Sequence, residues 1–78
     1  MATRSPAHAA LGRAFRELRE GQGVSQEELA SRAGLHRTYV GGIERGERNP
    51  SLTSLLRLAE VLEVNASELL AYTERLLR

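Results

Sequence analysis

The sequence predicts a compact all-α domain built from five helices. Apolar residues recur at helical spacing through most of its 78 residues, and no segment alternates apolar and polar residues as a half-buried strand would. Glycines and cap residues separate these periodic segments. A chain of this length supports a single core. We therefore expect one domain over residues 7–78, preceded by a flexible N-terminal arm of residues 1–6.

The first helix is predicted over residues 7–20, before a glycine-rich stretch that ends it. Leu11, Phe15 and Leu18 recur at spacings of four and three residues, and they mark its buried side.

The second helix is predicted from Ser25 to Ala33. Ser25 and Glu28, three residues apart, form the pattern of a capping box. Gly34 then provides a left-handed C-terminal turn.

The third helix is short, from Arg37 to Glu44, with Val40 and Ile43 facing inward and Gly46 ending it. Ser51 is the predicted cap of a fourth helix over residues 52–62. The inward stripe of that helix is predicted to be Leu52, Leu55, Ala59 and Leu62.

The fifth helix is predicted from Ser67 to Leu77, again opened by a cap residue. Its apolar residues occupy more than one face, so one stripe covers the core and the rest needs a partner. We therefore predict a two-fold dimer through this helix and the end of the fourth, although all of these residues could instead fold back on one core. The predicted dimer contacts are Leu56, Leu70, Tyr72, Leu76 and Leu77.

Composition argues against several classes of protein. The chain has no cysteine, which excludes disulfides and thiolate metal sites, and its two histidines lie far apart. No apolar run approaches the roughly 20 residues that cross a bilayer, and residues 1–10 lack the continuous apolar stretch of a signal peptide. We expect a cytoplasmic protein with no metal, no cofactor, no membrane attachment and no evident small-molecule ligand.

Charge is almost balanced overall but uneven locally. The net charge is +1, from 11 arginines and 10 glutamates, with no lysine or aspartate. Residues 37–48 hold three arginines and two glutamates, with His36 alongside. Arginine is the side chain best suited to forked contacts with phosphate and guanine. This local excess therefore favours a nucleic-acid partner.

Residues 25–46 have the pattern of a helix-turn-helix, with two short helices joined by a tight turn at Gly34 and Leu35. The remaining residues of the third helix are expected to point outward. They include cationic, hydroxyl and aromatic groups but no carboxylate, which suits a groove lined with acceptors and phosphates. These residues are Arg37, Thr38, Tyr39, Gly41, Gly42 and Arg45.

The phrases SQEELA, IERGERNPSL and LAEVLEV resemble the Cro/phage-repressor (XRE-type) helix-turn-helix family over about residues 8–71. This resemblance implies a five-helix, lambda-repressor-like DNA-binding domain. The stretch LHRTYVGGIERGERN is more particularly similar to the controller proteins of bacterial restriction–modification systems, which dimerise through their C-terminal helices. Other members of the superfamily carry similar RTYV and IERG phrases.

The resemblance also implies roles for individual residues. Arg37 and Thr38 match base-contacting positions, and Tyr39 resembles a residue that touches phosphate or a thymine methyl group. Gly41 and Gly42 replace side chains that reach base edges in many relatives, which suggests either close approach of the helix backbone to DNA or a loosely specified helix. The implied DNA-backbone contacts are Gln26, Arg45, Arg48, Asn49 and Arg19. Arg19 and Glu44 also resemble an ion pair that joins the first and third helices.

The function expected from these features is sequence-specific regulation of transcription by a homodimer on a (pseudo)palindromic operator in double-stranded DNA, with RNA polymerase as a candidate second partner. The alternative is an antitoxin or adaptor whose helix-turn-helix domain mainly binds another protein. No nucleophile–base set, pair of carboxylates or glycine-rich phosphate loop stands at a useful spacing, so an enzyme is not expected.

Overall fold

The computed structural model describes residues 5–78, which form five α-helices and no strand. The helices are α1 (Pro6–Gly21), α2 (Gln26–Ala33), α3 (Arg37–Glu44), α4 (Leu52–Val61) and α5 (Ala66–Leu76). The predicted all-α class and the number of helices are confirmed in this part of the chain. The bounds of α3 agree with those predicted, and the other helices differ from theirs by a residue at one or both ends.

The start of α1 corrects the predicted arm of residues 1–6. Ser5 caps the helix, because its Oγ accepts the backbone N–H of His8 at 3.1 Å. Pro6 occupies the first helical turn, where a missing N–H costs nothing. Ser5 and Pro6 therefore belong to the helix start, and the rest of the predicted arm, residues 1–4, lies outside the described residues.

Three connections, after α1, α2 and α4, share one local geometry. Each contains a residue with positive φ, then an apolar residue whose N–H bonds back into the preceding helix, and then the N-cap of the next helix. The positive-φ residues are Gly23 (70°), Gly34 (70°) and Glu63 (59°). The back-bonded apolar residues are Val24, Leu35 and Val64, at 3.1, 2.8 and 3.0 Å from their acceptor oxygens. The left-handed turn predicted at Gly34 is confirmed.

The capping box predicted at α2 is only half formed. The Oγ of Ser25 accepts the backbone N–H of Glu28 at 3.0 Å. The carboxylate of Glu28 instead accepts a hydrogen bond from Arg32, one turn later, at 2.7 Å. The serine half of the predicted box is confirmed, and the glutamate half is wrong, since Glu28 bonds to Arg32 rather than to the N-cap backbone. A complete capping box stands at the start of α5, between Asn65 and Glu68.

Every helix contributes at least one large apolar side chain to the core. Its largest fully buried members are Phe15, Leu29, Ile43, Leu58, Leu62, Leu69 and Val40. The prediction that Leu52 faces inward is wrong, because this first residue of α4 is 70% exposed. The other predicted inward residues, Leu55, Ala59 and Leu62, are buried as expected, and Leu58 is buried as well.

The main chains of α1 and α3 approach each other closely at Gly12. A Cβ atom at this position would lie 2.3 Å from the carbonyl oxygen of Ile43 and 2.6 Å from that of Glu44. Real Cβ contacts do not come so close, so only glycine allows this packing. The contact fixes the depth at which α3 lies against α1, and α3 also packs against α2.

Candidate nucleic-acid interface

The N-terminal turn of α3 presents two exposed polar side chains, those of Arg37 and Thr38. On the opposite side of the helix, Val40 and Ile43 are each 1% exposed and anchor it in the core, as predicted. Because its inner side is fully packed, α3 holds the exposed pair on a rigid element.

Tyr39 is half-buried and less outward than predicted. Its ring packs against the core, and its hydroxyl accepts the backbone N–H of Ser51 at 3.2 Å. Burial alone would raise the pKa of Tyr39, but hydrogen bonds with Ser54 and Ser51 and the positive charge of Arg48 outweigh it and lower the pKa. The hydroxyl is therefore held at the junction between α3 and α4.

Gly41 and Gly42 are buried, so the prediction that they point outward is wrong. A Cβ atom on Gly41 would lie 3.0 Å from Nη1 of Arg45 and 3.5 Å from Oε1 of Gln26. A Cβ atom on Gly42 would lie 2.6 Å from Cγ of Arg48. Longer side chains cover the two glycines: Gln26 and Arg45 lie against Gly41, and Arg48 lies against Gly42.

The predicted ion pair between Arg19 and Glu44 is confirmed and is bidentate. Nε and Nη2 of Arg19 donate to the two carboxylate oxygens of Glu44 at 2.7 and 3.0 Å. The two side chains are 11% and 3% exposed. Nη1 of Arg19 also donates to the carbonyl oxygen of Val24, at 2.9 Å. This guanidinium therefore ties α1 to the end of α3 and to the connection before α2.

Glu44 also positions Gln26, a connection that sequence analysis missed. Nε2 of Gln26 donates to Oε1 of Glu44 at 2.9 Å, beside the bond from Arg19. A glutamate at the end of α3 that pairs with Arg19 was the available signal for a polar cluster. The sequence does not show that Gln26 is its second partner, because that depends on how α2 packs against α3. As a result, Gln26 at the start of α2 borders one depression with Arg37, Thr38, Gly41 and Arg45.

The segment after α3 places further polar side chains at the same surface. Arg45, Arg48 and Asn49 are all exposed. Nε of Arg45 donates to the carboxylate of Glu47 at 3.0 Å, so this guanidinium is partly neutralised. We call the surface formed by Gln26, Arg37, Thr38, Arg45, Arg48 and Asn49 the α3 surface.

The predicted dimer contacts divide into two groups. Leu56, Leu70 and Leu77 are exposed, at 49%, 46% and 46%. Tyr72 and Leu76 are half-buried and pack against the core, and the hydroxyl of Tyr72 donates to the carboxylate of Glu17.

Within residues 5–78 no group of histidines and carboxylates is arranged to hold a metal ion. The helices of the same part of the chain are too short or too polar to span a membrane.

Two helices joined by a tight glycine turn, the second carrying exposed arginine and threonine at its N-terminal end, define a helix-turn-helix DNA-binding protein. Comparison with known proteins agrees with this class. The Helix-turn-helix family model matches residues 15–69. The chain belongs to this family, and within it the chain is a DNA-binding transcriptional regulator of the XRE type.

Several relatives are restriction–modification control proteins. The chain is 45% identical over 60 residues to control protein C.SmaI of Serratia marcescens, covering 77% of this chain and 71% of that protein. It is 41% identical over 64 residues to control protein C.BamHI of Bacillus amyloliquefaciens, covering 81% and 79%. The crystal structure of the restriction–modification controller protein C.AhdI from Aeromonas hydrophila matches with a TM-score of 0.78 and 50% identity, covering 80% and 94%. The predicted resemblance to controller proteins is thus confirmed.

Proposed function

We propose that this regulator acts in the cytoplasm as a homodimer on a (pseudo)palindromic operator, in the role of a restriction–modification controller protein. The α3 surface carries the proposal, because it joins exposed donors from α2, α3 and the following segment around one helix. The similarity to C.SmaI, C.BamHI and C.AhdI supports the controller role.

Base contacts are assigned to the N-terminal turn of α3. Arg37 has an exposed guanidinium that can donate two hydrogen bonds to O6 and N7 of a guanine in the major groove. Thr38 adds a hydroxyl and a methyl group next to it. The half-buried Tyr39 contributes a ring edge, with its hydroxyl already bonded to Ser51.

Phosphate contacts are assigned to the residues that flank α3. Gln26 stands at the first position of α2, where unpaired backbone N–H groups favour an anion, and Glu44 orients its side-chain amide. At the other end of α3, the DNA backbone is approached by Arg45, Arg48 and Asn49. These contacts fix the register of the helix on the duplex but carry no sequence information directly.

Arg19 supports these contacts from beneath the surface. Its side chain is 11% exposed, and its guanidinium already donates to Glu44 and Val24. We therefore assign it the role of holding Glu44, and through Glu44 the amide of Gln26, in place for the DNA backbone.

Dimerisation is assigned to the exposed leucines of α4 and α5. Leu56, Leu70 and Leu77 are each nearly half exposed, an arrangement that a second copy of the chain would cover. A two-fold dimer presents its two α3 helices to successive major grooves, about 34 Å apart, on one side of the DNA. Bound near a promoter, such a dimer can block RNA polymerase or contact it.

The test is a salt series of binding to DNA from upstream of the protein's own gene, with unrelated DNA as competitor. We expect tight binding to the upstream DNA alone, saturating at two chains per site and weakening with salt. Arg37→Ala should cost about 1–3 kcal/mol of that binding and reduce the preference for the upstream DNA.

The matched control is Arg78→Ala, which removes the same charge from an exposed position after α5. It should leave the preference between the two DNAs intact. Equal, weak binding of the unmodified protein to both DNAs would reject the proposal and favour a protein partner instead.

A further inference from the structure

We propose that Gly42 is a positioning residue for Arg48. By carrying no side chain, it lets the aliphatic carbons of Arg48 pack against α3, so that the guanidinium is directed to the DNA backbone before DNA arrives. The DNA part of this inference rests on the proposed function. The contact between Gly42 and Arg48 does not.

The contact involves the whole aliphatic part of Arg48. A Cβ atom on Gly42 would lie 2.6 Å from Cγ of Arg48, 3.5 Å from its Cβ and 3.6 Å from its Cδ. The closest of these atoms, Cγ, is the second carbon of the side chain and lies far from its flexible tip. A methyl group on Gly42 therefore displaces the arginine side chain at its base and redirects the guanidinium.

The main chain holds Arg48 over the same glycine. The carbonyl oxygen of Gly42 accepts the backbone N–H of Glu47 at 2.8 Å and that of Arg48 at 3.2 Å. The chain can fold back in this way because Gly46, which lies between Gly42 and Glu47, has a φ of 75°. Both the backbone and the side chain of Arg48 thus meet α3 at Gly42.

This arrangement makes Arg48 a preorganised contact. A free arginine loses most of its rotamer freedom when it binds a phosphate, whereas a packed one has already lost part of it. Arg48 as a whole remains exposed, and its charge acts on the hydroxyl of Tyr39. Packing along the stem and exposure at the tip are the combination that a phosphate contact needs.

Gly41 differs from Gly42 in the atom it faces. A Cβ atom on Gly41 would meet Nη1 of Arg45 at 3.0 Å, the far end of a flexible side chain that can move away. The structure therefore assigns the positioning role to Gly42 and not to the glycine pair as such.

The first experiment measures thermal stability and needs no DNA. Gly42→Ala is made in the unmodified chain and in the Arg48→Ala chain, and the midpoint temperature is followed by circular dichroism. We expect Gly42→Ala to give a clearly lower midpoint temperature, relative to its own background, when Arg48 is present than when it is absent. Only in the presence of Arg48 does the new methyl group displace a side chain. Without Arg48, it should raise the midpoint, since alanine favours a helix more than glycine does.

Gly21→Ala is the matched control, because a Cβ atom at this last residue of α1 would meet nothing within 4 Å. Its effect should be the same in both backgrounds. An equal effect of Gly42→Ala in the two backgrounds would overturn the inference. If Gly42→Ala alone does not fold but the double variant with Arg48→Ala does, the inference is supported. If neither the single nor the double variant folds, the inference is overturned.

The second experiment measures the salt dependence of binding to DNA from upstream of the gene. Arg48→Ala should reduce the slope of log K against log salt by about 2, because each of the two chains of the dimer loses one phosphate contact. Gly42→Ala should reduce slope and affinity in the same way, and the double variant should bind no worse than Arg48→Ala. A lowered folded fraction would weaken binding without changing this slope.

The outcomes separate the two proposals. If Arg48→Ala changes the slope and Gly42→Ala does not, the positioning role is wrong and the proposed function stands. If the unmodified protein does not prefer the upstream DNA, the proposed function fails, and the stability measurement still decides whether Gly42 positions Arg48.

Discussion

At the scale of single residues, Gly12 is the point where the backbone of α1 contacts the backbone of α3. Alanine at this position would place a Cβ atom 2.3 Å from a backbone oxygen of α3, and backbone atoms cannot rotate away as a side chain can. We expect Gly12→Ala to lower the free energy of unfolding by about 1–3 kcal/mol or more, from overpacking. Urea denaturation measures this loss.

Gly21→Ala provides the comparison, since it is the same change in the same helix with open space around it. It should leave stability unchanged or raise it by up to about 1 kcal/mol. Equal losses in the two variants would show that helix propensity, and not contact with α3, determines the effect at Gly12.

Glu63 has a backbone conformation that is unfavourable for a residue with a side chain. It has a φ of 59° in the connection between α4 and α5, where the equivalent residues after α1 and α2 are glycines. Residues with a Cβ atom pay roughly 1–2 kcal/mol in this conformation. We expect Glu63→Gly to raise the free energy of unfolding by about 0.5–1 kcal/mol, because relief of this cost is partly offset by the greater entropy of glycine in the unfolded chain.

Glu60→Gly separates this effect from the loss of a negative charge. Glu60 is exposed within α4, where glycine should cost about 1 kcal/mol. The two variants remove the same charge from nearby positions and should shift the urea midpoint in opposite directions. Shifts of the same sign would contradict the argument from the left-handed conformation.

At the scale of helices, α1 and α5 are joined by a polar contact on their shared surface. The hydroxyl of Tyr72 and Nε of Arg13 both donate to the carboxylate of Glu17, the latter at 2.7 Å. The bond from Tyr72, and then that from Arg13, lowers the pKa of Glu17. The same bond to Glu17 raises the pKa of Tyr72.

This contact predicts a dependence of stability on pH. Because the pKa of Glu17 is lowered on folding, its contribution is present above the ordinary glutamate value of about 4.3 and is lost as pH falls through the lowered value. The raised pKa of Tyr72 has the opposite sense, and its contribution is lost as pH rises above about 10. We expect Tyr72→Phe to be destabilising at neutral pH and much less so in acid.

The measurement is urea denaturation of both proteins at neutral and acid pH, at one low protein concentration. Tyr39→Phe is the control, because its hydroxyl accepts the backbone N–H of Ser51, a group that does not titrate in this range. Its stability difference from the unmodified protein should stay constant between neutral and acid pH. A constant difference for Tyr72→Phe as well would contradict the assigned hydrogen bond.

At the scale of the whole molecule, dimerisation should depend on leucines that the single chain does not need. Leu70 is 46% exposed on α5, so a charged residue there costs the isolated domain little. We expect Leu70→Glu to shift the protein towards monomers in analytical ultracentrifugation and to weaken operator binding, since two linked α3 helices bind more tightly than one.

Ser31→Glu adds the same charge to an exposed position on α2 and should leave the association constant unchanged. An unchanged association constant for Leu70→Glu would place the dimer contact elsewhere on the chain.

The sequence by itself determined the helices and the motif, because their signals are local. The bounds of α3 and the left-handed Gly34 follow from residues within a few positions of each other. The pairing of Arg19 with Glu44 spans 25 residues. It was predicted only through the resemblance to a family, since periodicity gives no information about such a pair.

Only the tertiary structure decided how the side chains of the α3 surface are arranged. Gly42 was expected to point outward, and it is buried because the segment after α3 folds back and lays Arg48 over it. Gln26 reaches Glu44 because α2 packs beside the end of α3. Leu52 has the spacing of a core residue yet is exposed at the start of α4. In each case the outcome depends on elements brought together by packing, and a helical period specifies a face of one helix but not what covers it.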